Sequence, residues 1–122
     1  MKTCELERAA LDWAVCEALG LFKKTHTYPN GITTSYVLLG KSGVLYDMLH
    51  GQAHYSPSTD WSQGGPIIER EKIHTFFAAG TWLAEHDVNQ GCFIGPTPLI
   101  AAMRCYVASR LGYEVEVPKE LT

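Results

Sequence analysis

Leu6, Ala9, Ala10, Trp13 and Ala14 recur at steps of three and four, the spacing that puts side chains on one side of an α-helix, and predict a helix from Glu5 to Leu19. Thr3 or Cys4 stands where an N-cap belongs, Glu5 and Glu7 suit the positive end of the helix dipole, and Gly20 suits the left-handed residue past its end. A second helix is predicted from Pro98 to Leu111, with Thr97 as N-cap, Pro98 at the first position and Gly112 after the last. Leu99, Ile100, Met103, Tyr106, Val107 and Leu111 form its broad apolar arc. The opposite arc holds only small residues, Ala101, Ala102, Cys105, Ala108 and Ser109, with Arg104 at its border. A solvated face would carry several charges, so this one is expected to pack against another element or, through helix 98–111, against a second copy in a homo-oligomer.

Between the helices the pattern is β-like and interrupted. Tyr28-Pro29-Asn30-Gly31 has turn chemistry, and Thr33 to Leu39 reads as a strand rich in β-branched and aromatic residues. Gly40-Lys41-Ser42-Gly43 can reverse the chain into a return strand from Val44 to Met48. Apolar periodicity stops from His50 to Gly65, which reads as a loop, and Pro66 is placed at the first position of a short helical turn over Ile67 to Lys72. Ile73 to Ala78 and Thr81 to His86 flank Ala79-Gly80 as two strands or one bent strand. Glu114-Val115-Glu116-Val117 alternates like an edge strand that Pro118 ends. Helices and strands mix without a βαβ rhythm, so the expected fold is α+β: two main helices on a small, mostly antiparallel sheet, in one domain spanning residues 1–122.

Composition narrows the function. With 46% hydrophobic and 19% charged residues, the 122-residue chain has the makeup of an ordinary globular domain. Its formal net charge is −3 and its ten basic residues are scattered, which argues against a duplex nucleic-acid partner. Met1 to Glu5 has no apolar leader, and no run approaches the ~18 apolar residues of a membrane span, so neither export nor a membrane partner is expected. Cys4, Cys16, Cys92 and Cys105 form no CxxC pair and read as free thiols. Gly40-Lys41-Ser42 lacks the upstream glycine of a phosphate-binding loop, Ser35 standing in its place. His50 and His54 are separated by Gly51 and Gln52 rather than by the glutamate of a zinc helix, and Glu85-His86-Asp87 reads as a solvated strand end. No GxSxG is present. Accordingly no catalytic residue, metal or cofactor is assigned.

The strongest candidate site is the polar, aromatic stretch from His54 to Gly65. Tyr55 and Trp61 can stack on a flat ligand. Ser58, Thr59 and Ser62 supply hydroxyls, Asp60 and Gln63 supply orienting groups, and Gly64 with Gly65 lets backbone N–H groups approach closely. The structural alternative is that these hydroxyls cap turns, Asp60 binds nearby amides and Trp61 fills the core. A second stretch, Gly95-Pro96-Thr97-Pro98, opens a helix with amides at Leu99 to Ala101 free for an anionic group and Arg104 two turns in, the alternative being plain capping and an Arg–carboxylate pair. The two stretches are expected to be halves of one site.

ALDWAV at 10–15, SPSTDWSQGGPIIEREKI at 56–73, GPTPLIAAMRCYVAS at 95–109 and LGYEVEVPKEL at 111–121 together resemble the NinX family, encoded by lambdoid and other bacteriophages and by prophages. The stretch from Leu21 to Gln52 carries no part of that resemblance. The resemblance implies a non-essential phage accessory protein in the host bacterial cytoplasm and supplies no catalytic residues. Combined with the site chemistry, it leads to the expectation of a non-catalytic protein that captures a small, nucleotide-like molecule, a host defence signal being one such target in a counter-defence role. The alternative is an interaction module that binds and blocks a host protein. A small enzyme using Asp60 ranks third.

Overall fold

The computed structural model describes residues 1–20, 22–31, 33–39, 44–47, 55–87, 91–117 and 119–121. Among them are three α-helices and two three-stranded antiparallel sheets, so the α+β class holds with one more helix and one more sheet than the sequence pattern suggested. The turn at 40–43, Met48, the His50–His54 pair and Pro118 lie outside the described residues.

Helix α1 runs from Arg8 to Leu19 rather than from Glu5. Neither suggested cap serves it, because the residues before it are committed elsewhere. Thr3 opens a short 3-10 turn, Thr3–Glu5, is fully buried, and donates its hydroxyl to the Gly112 carbonyl at 2.7 Å. Gly20 does end the helix in the left-handed conformation, φ 72°, its N–H returning to the Cys16 and Glu17 carbonyls. Seven consecutive residues, Ala10 to Cys16, are buried, so α1 is enclosed on all sides over this stretch and carries Asp12 inward with it.

Strands β1 (Phe22–Thr27), β2 (Thr33–Leu39) and β3 (Val44–Asp47) form an antiparallel meander. The β1–β2 turn is the one expected, Gly31 taking φ 86° with its N–H on the Tyr28 carbonyl at 2.9 Å. In the second sheet, β4 (His74–Ala78) and β5 (Thr81–Glu85) are two strands of a hairpin, not one bent strand. Ala79 at φ 53° and Gly80 at φ 79° supply the two successive left-handed residues that a tight hairpin turn requires. Phe77 faces Trp82 across the pair in an edge-on contact, ring centroids 5.3 Å apart. The three-residue strand β6 (Phe93–Gly95) completes this sheet beside β5.

Helix α2 occupies Trp61–Glu71, beginning five residues before the turn expected at Pro66. Asp60 is its N-cap, accepting the Ser62 N–H at 2.9 Å, and Pro66 therefore lies inside the helix. The last five residues of the presumed loop are helical. Helix α3 (Pro98–Leu111) has the predicted boundaries, with the Thr97 hydroxyl accepting the Ile100 N–H at 3.1 Å and Gly112 donating to Ala108. Most of its apolar arc and of its small-residue arc is buried, Leu111 at its end being exposed: Ala101, Ala102 and Cys105 are as enclosed as Leu99 and Met103. α3 packs on α1, α2 and the β4–β6 sheet, so the small residues serve close approach within the chain. At Gly95 that approach is so tight that a Cβ would lie 2.7 Å from the Ala101 nitrogen.

Glu114 to Val117 forms no strand beyond a single antiparallel bridge between Glu114 and Lys2. The chain's two ends hold each other there, Val115 N–H donating to the Met1 carbonyl at 2.9 Å and the Met1 ammonium to the Val115 carbonyl at 3.0 Å. Leu121, in a closing 3-10 turn (Lys119–Leu121), returns to the core. No helix of the described residues is long and apolar enough to cross a membrane. Because the Thr97 cap anchors the central helix, Thr97→Ala is expected to lower stability by about 1 kcal/mol in urea denaturation.

Candidate functional site

The turn at 55–60 is built by bonds that close on Ser56: Thr59 N–H and Asp60 N–H both donate to its carbonyl, at 3.0 and 2.8 Å. Two side chains from other elements then fix it. Gln63 of α2 accepts the Ser56 N–H at 2.6 Å, and Asp12 of α1 accepts the Ser58 N–H at 2.9 Å. Gly64 allows α2 to press on the turn, its Cα facing the Pro57 carbonyl and the Leu99 side chain.

These ties carry the turn to the start of α3. Ser58, Thr59 and Trp61 on one side and Thr97, Leu99 and Ile100 on the other line a depression of about 150 Å³. The stretches at 54–65 and 95–104 thus meet. Of the residues singled out from the sequence, Ser58, Thr59, Trp61 and Thr97 are brought together here. Trp61 does not fill the core; its side chain stands at the rim, and the residue is 55% exposed.

The other candidates are used differently. Tyr55 is buried in the core, where burial pushes its hydroxyl pKa well up, so its ring is not presented for stacking. Asp60 caps α2 and takes the Ser62 hydroxyl as well, at 2.6 Å. Gln63 holds Ser56, and Gly64 is packed against Pro57. Arg104 leaves the depression altogether: its Nε donates to the Leu6 carbonyl at 2.8 Å and its Nη1 to the Ile94 carbonyl at 2.9 Å. Of the amides expected free at Leu99 to Ala101, Ile100 N–H goes to the Thr97 hydroxyl and Ala101 N–H to the Thr97 carbonyl at 3.1 Å. Among the described residues that line it, none carries a charged side chain. The walls therefore offer an indole face, two aliphatic side chains and hydroxyl-bearing residues, a set suited to an uncharged ring.

Sequence reasoning missed Asp12. It is 5% exposed, and burial raises its carboxyl to about pKa 6, against the opposing effect of the nearby Ser58 hydroxyl and of the hydrogen bond from the Ser58 N–H. The signal was available: Leu11 and Val15 lie off the side formed by Ala10 and Trp13, so a helix apolar all round from Ala10 to Cys16 was bound to take the one charged residue of that stretch, Asp12, inside. Elsewhere, Glu85-His86-Asp87 is not a free strand end, because His86 Nε2 approaches Glu71 to 4.0 Å. Glu71 also pairs with Arg70 at 3.1 Å and Arg110 at 3.2 Å, which hold its carboxyl below the usual range, Arg70 foremost. All four cysteines are free thiols, Cys16 and Cys105 buried and Cys4 and Cys92 exposed. Among the described residues no three His, Cys, Asp or Glu side chains group as metal ligands.

A protein-family model described as "Bacteriophage P22, NinX" matches residues 2–110 of the chain. No curated protein matches it.

Proposed function

Because the chain belongs to the bacteriophage P22 NinX family, we propose that this phage accessory protein captures a nucleotide-like small molecule of the infected host by its base, without chemical turnover. The observation that carries this reading is Trp61, a large aromatic held 55% exposed at the rim of a depression whose walls are otherwise hydroxyl-bearing and aliphatic. A space of about 150 Å³ accepts one ring system rather than a whole nucleotide. The base stacks on the indole while the hydroxyls of Thr59 and Thr97 supply hydrogen-bonding partners at its edge, Ser58 backing the wall from inside, and sugar and phosphate extend into solvent. With Arg104 turned away and two of the three α3 amides occupied, phosphate contributes little to recognition. Sequestering a host defence signal is the role such capture would serve in the cytoplasm of the infected cell.

Titration calorimetry with adenosine, guanosine, cytidine and uridine, their monophosphates and cyclic dinucleotides tests this. Base stacking is worth about 1–3 kcal/mol, so Trp61→Ala is expected to weaken binding by roughly tenfold to a hundredfold and Trp61→Phe by much less. Absence of binding across the panel overturns the reading. A second reading, docking on a host protein, is favoured by Phe77 and Tyr113, which are 60% and 63% exposed away from the depression. A single stoichiometric host partner whose capture is lost with Phe77→Ser or Tyr113→Ser, and kept with Trp61→Ala, would select it.

A further inference from the structure

The depression has one wall that hangs from a buried carboxyl. Ser58 lines it, and the Ser58 N–H is held by Asp12 Oδ1 at 2.9 Å, entirely inside the protein. The Ser58 hydroxyl is also buried, the residue being 1% exposed, and its oxygen has no partner in good geometry, although it lies close enough to Asp12 to favour the charged form. Tyr55 in the turn feels, besides Asp12, the ionisable groups Cys16 on α1, Tyr106 on α3 and Arg70 on α2, the last of which is paired with Glu71 at 3.1 Å. Tyr55 feels the charge of Asp12, and it too is neutral and buried. Among the described residues no cation figures among the influences on Asp12 itself.

We propose that Asp12 is a proton-operated latch on the 55–60 turn, closing the Ser58 wall of the depression when protonated and loosening it when ionised. The protonated carboxyl keeps one oxygen for the Ser58 N–H and gains an O–H to donate to the orphaned Ser58 oxygen, so both groups are satisfied. The carboxylate accepts from Ser58 but remains a buried charge that no cation among the described residues offsets, and opening the turn to water relieves that cost. The capture reading supplies the latch's purpose, since loosening this wall changes the shape offered to a ring on Trp61; the latch itself is a property of the free protein.

The sign follows from linkage. The closed state raises the carboxyl from 3.8 to about 6, so it binds more protons than the open state between those values, and closure weakens as pH rises through that window and is constant above it. The test is amide hydrogen exchange of the free protein from pH 4 to 8, read as protection factors corrected for the intrinsic rate. Protection at Ser58 is expected to fall by up to about a hundredfold between pH 4 and 7, the displacement of the carboxyl expressed as an equilibrium factor. Asp12→Asn keeps the acceptor and cannot ionise, so its profile is expected to be flat. A flat profile in the unsubstituted protein overturns the latch, as does an equal fall in Asp12→Asn. A parallel fall at Met103, in the centre of α3, also overturns it by making the effect global. None of these outcomes depends on whether a nucleoside binds.

Discussion

Replacing Gly64 by alanine is expected to destabilise the protein by about 3 kcal/mol or more, the upper range for forcing atoms into a filled interior. A Cβ on Gly64 would fall onto the Pro57 carbonyl oxygen and lie 2.6 Å from Leu99 Cδ1. Leu99 can rotate, but the Pro57 carbonyl cannot, because the turn around it is fixed by Gln63 at Ser56 and by Asp12 at Ser58. Either α2 separates from the turn or the turn breaks its ties to α1. For a domain of this size the loss corresponds to a fall in Tm on the order of 10 °C. Gly65 provides the internal control, since among the described residues its added Cβ would meet Trp61 Cε3 at 3.8 Å and nothing nearer, an ordinary contact. There the helix gains the better propensity of alanine, and Gly65→Ala is expected to stabilise by up to about 1 kcal/mol. Thermal unfolding followed by circular dichroism reads both; equal effects at the two positions would contradict this packing.

Those neighbouring glycines show why the middle of the chain was hard to read. Local signals placed α3 to the residue because Thr97, Pro98 and Gly112 are capping devices that act on their own neighbours. At α2 the local signals mislead. Gly64, Gly65 and Pro66 are poor helix formers, and a helix forms there because Asp60 caps it and because only glycine lets it approach the turn. Asp60 followed three residues later by Gln63 was the legible clue to the true start. Strand β1 was missed since Phe22–Thr27 holds two lysines and a histidine, and its pairing is a matter of backbone register with β2. The alternation at Glu114–Val117 was real as a pattern, yet its partner is the first three residues of the chain, too short for a ladder.

The same ambiguity governed the site. Serine, threonine, aspartate and glutamine contact ligands and cap turns with the same atoms, so a polar stretch alone does not tell which use wins. Asp60 and Gln63 went to the backbone; Ser58, Thr59, Trp61 and Thr97 remain around the depression. What brings them there is long-range. ALDWAV supplies Asp12, SPSTDW supplies Ser58 and Trp61, and GPTPLI supplies Thr97, Leu99 and Ile100, so three separated segments that carry the family resemblance converge on one place.

Arg104 gives the sharpest division between structural and recognition roles, and Arg104→Met is expected to lower stability by about 2–3 kcal/mol while leaving nucleoside affinity unchanged in the folded protein. The guanidinium bridges two elements across α3, binding the carbonyl of Leu6 just ahead of α1 and that of Ile94 in β6. Burial lowers its pKa, with Glu7 and Cys4 opposing, so its placement costs desolvation that the two charge-assisted bonds offset. Methionine preserves much of the aliphatic stem but leaves the carbonyl of fully buried Leu6 without its donor. Urea denaturation measures the first effect and calorimetric titration with adenosine the second. A recognition site built on Trp61 and neutral walls also implies that affinity varies little between 50 and 500 mM salt, because no ion pair with the ligand is there to be screened. Loss of adenosine binding in Arg104→Met with stability intact, or a steep salt dependence, would return the cation to the site and require an anionic ligand.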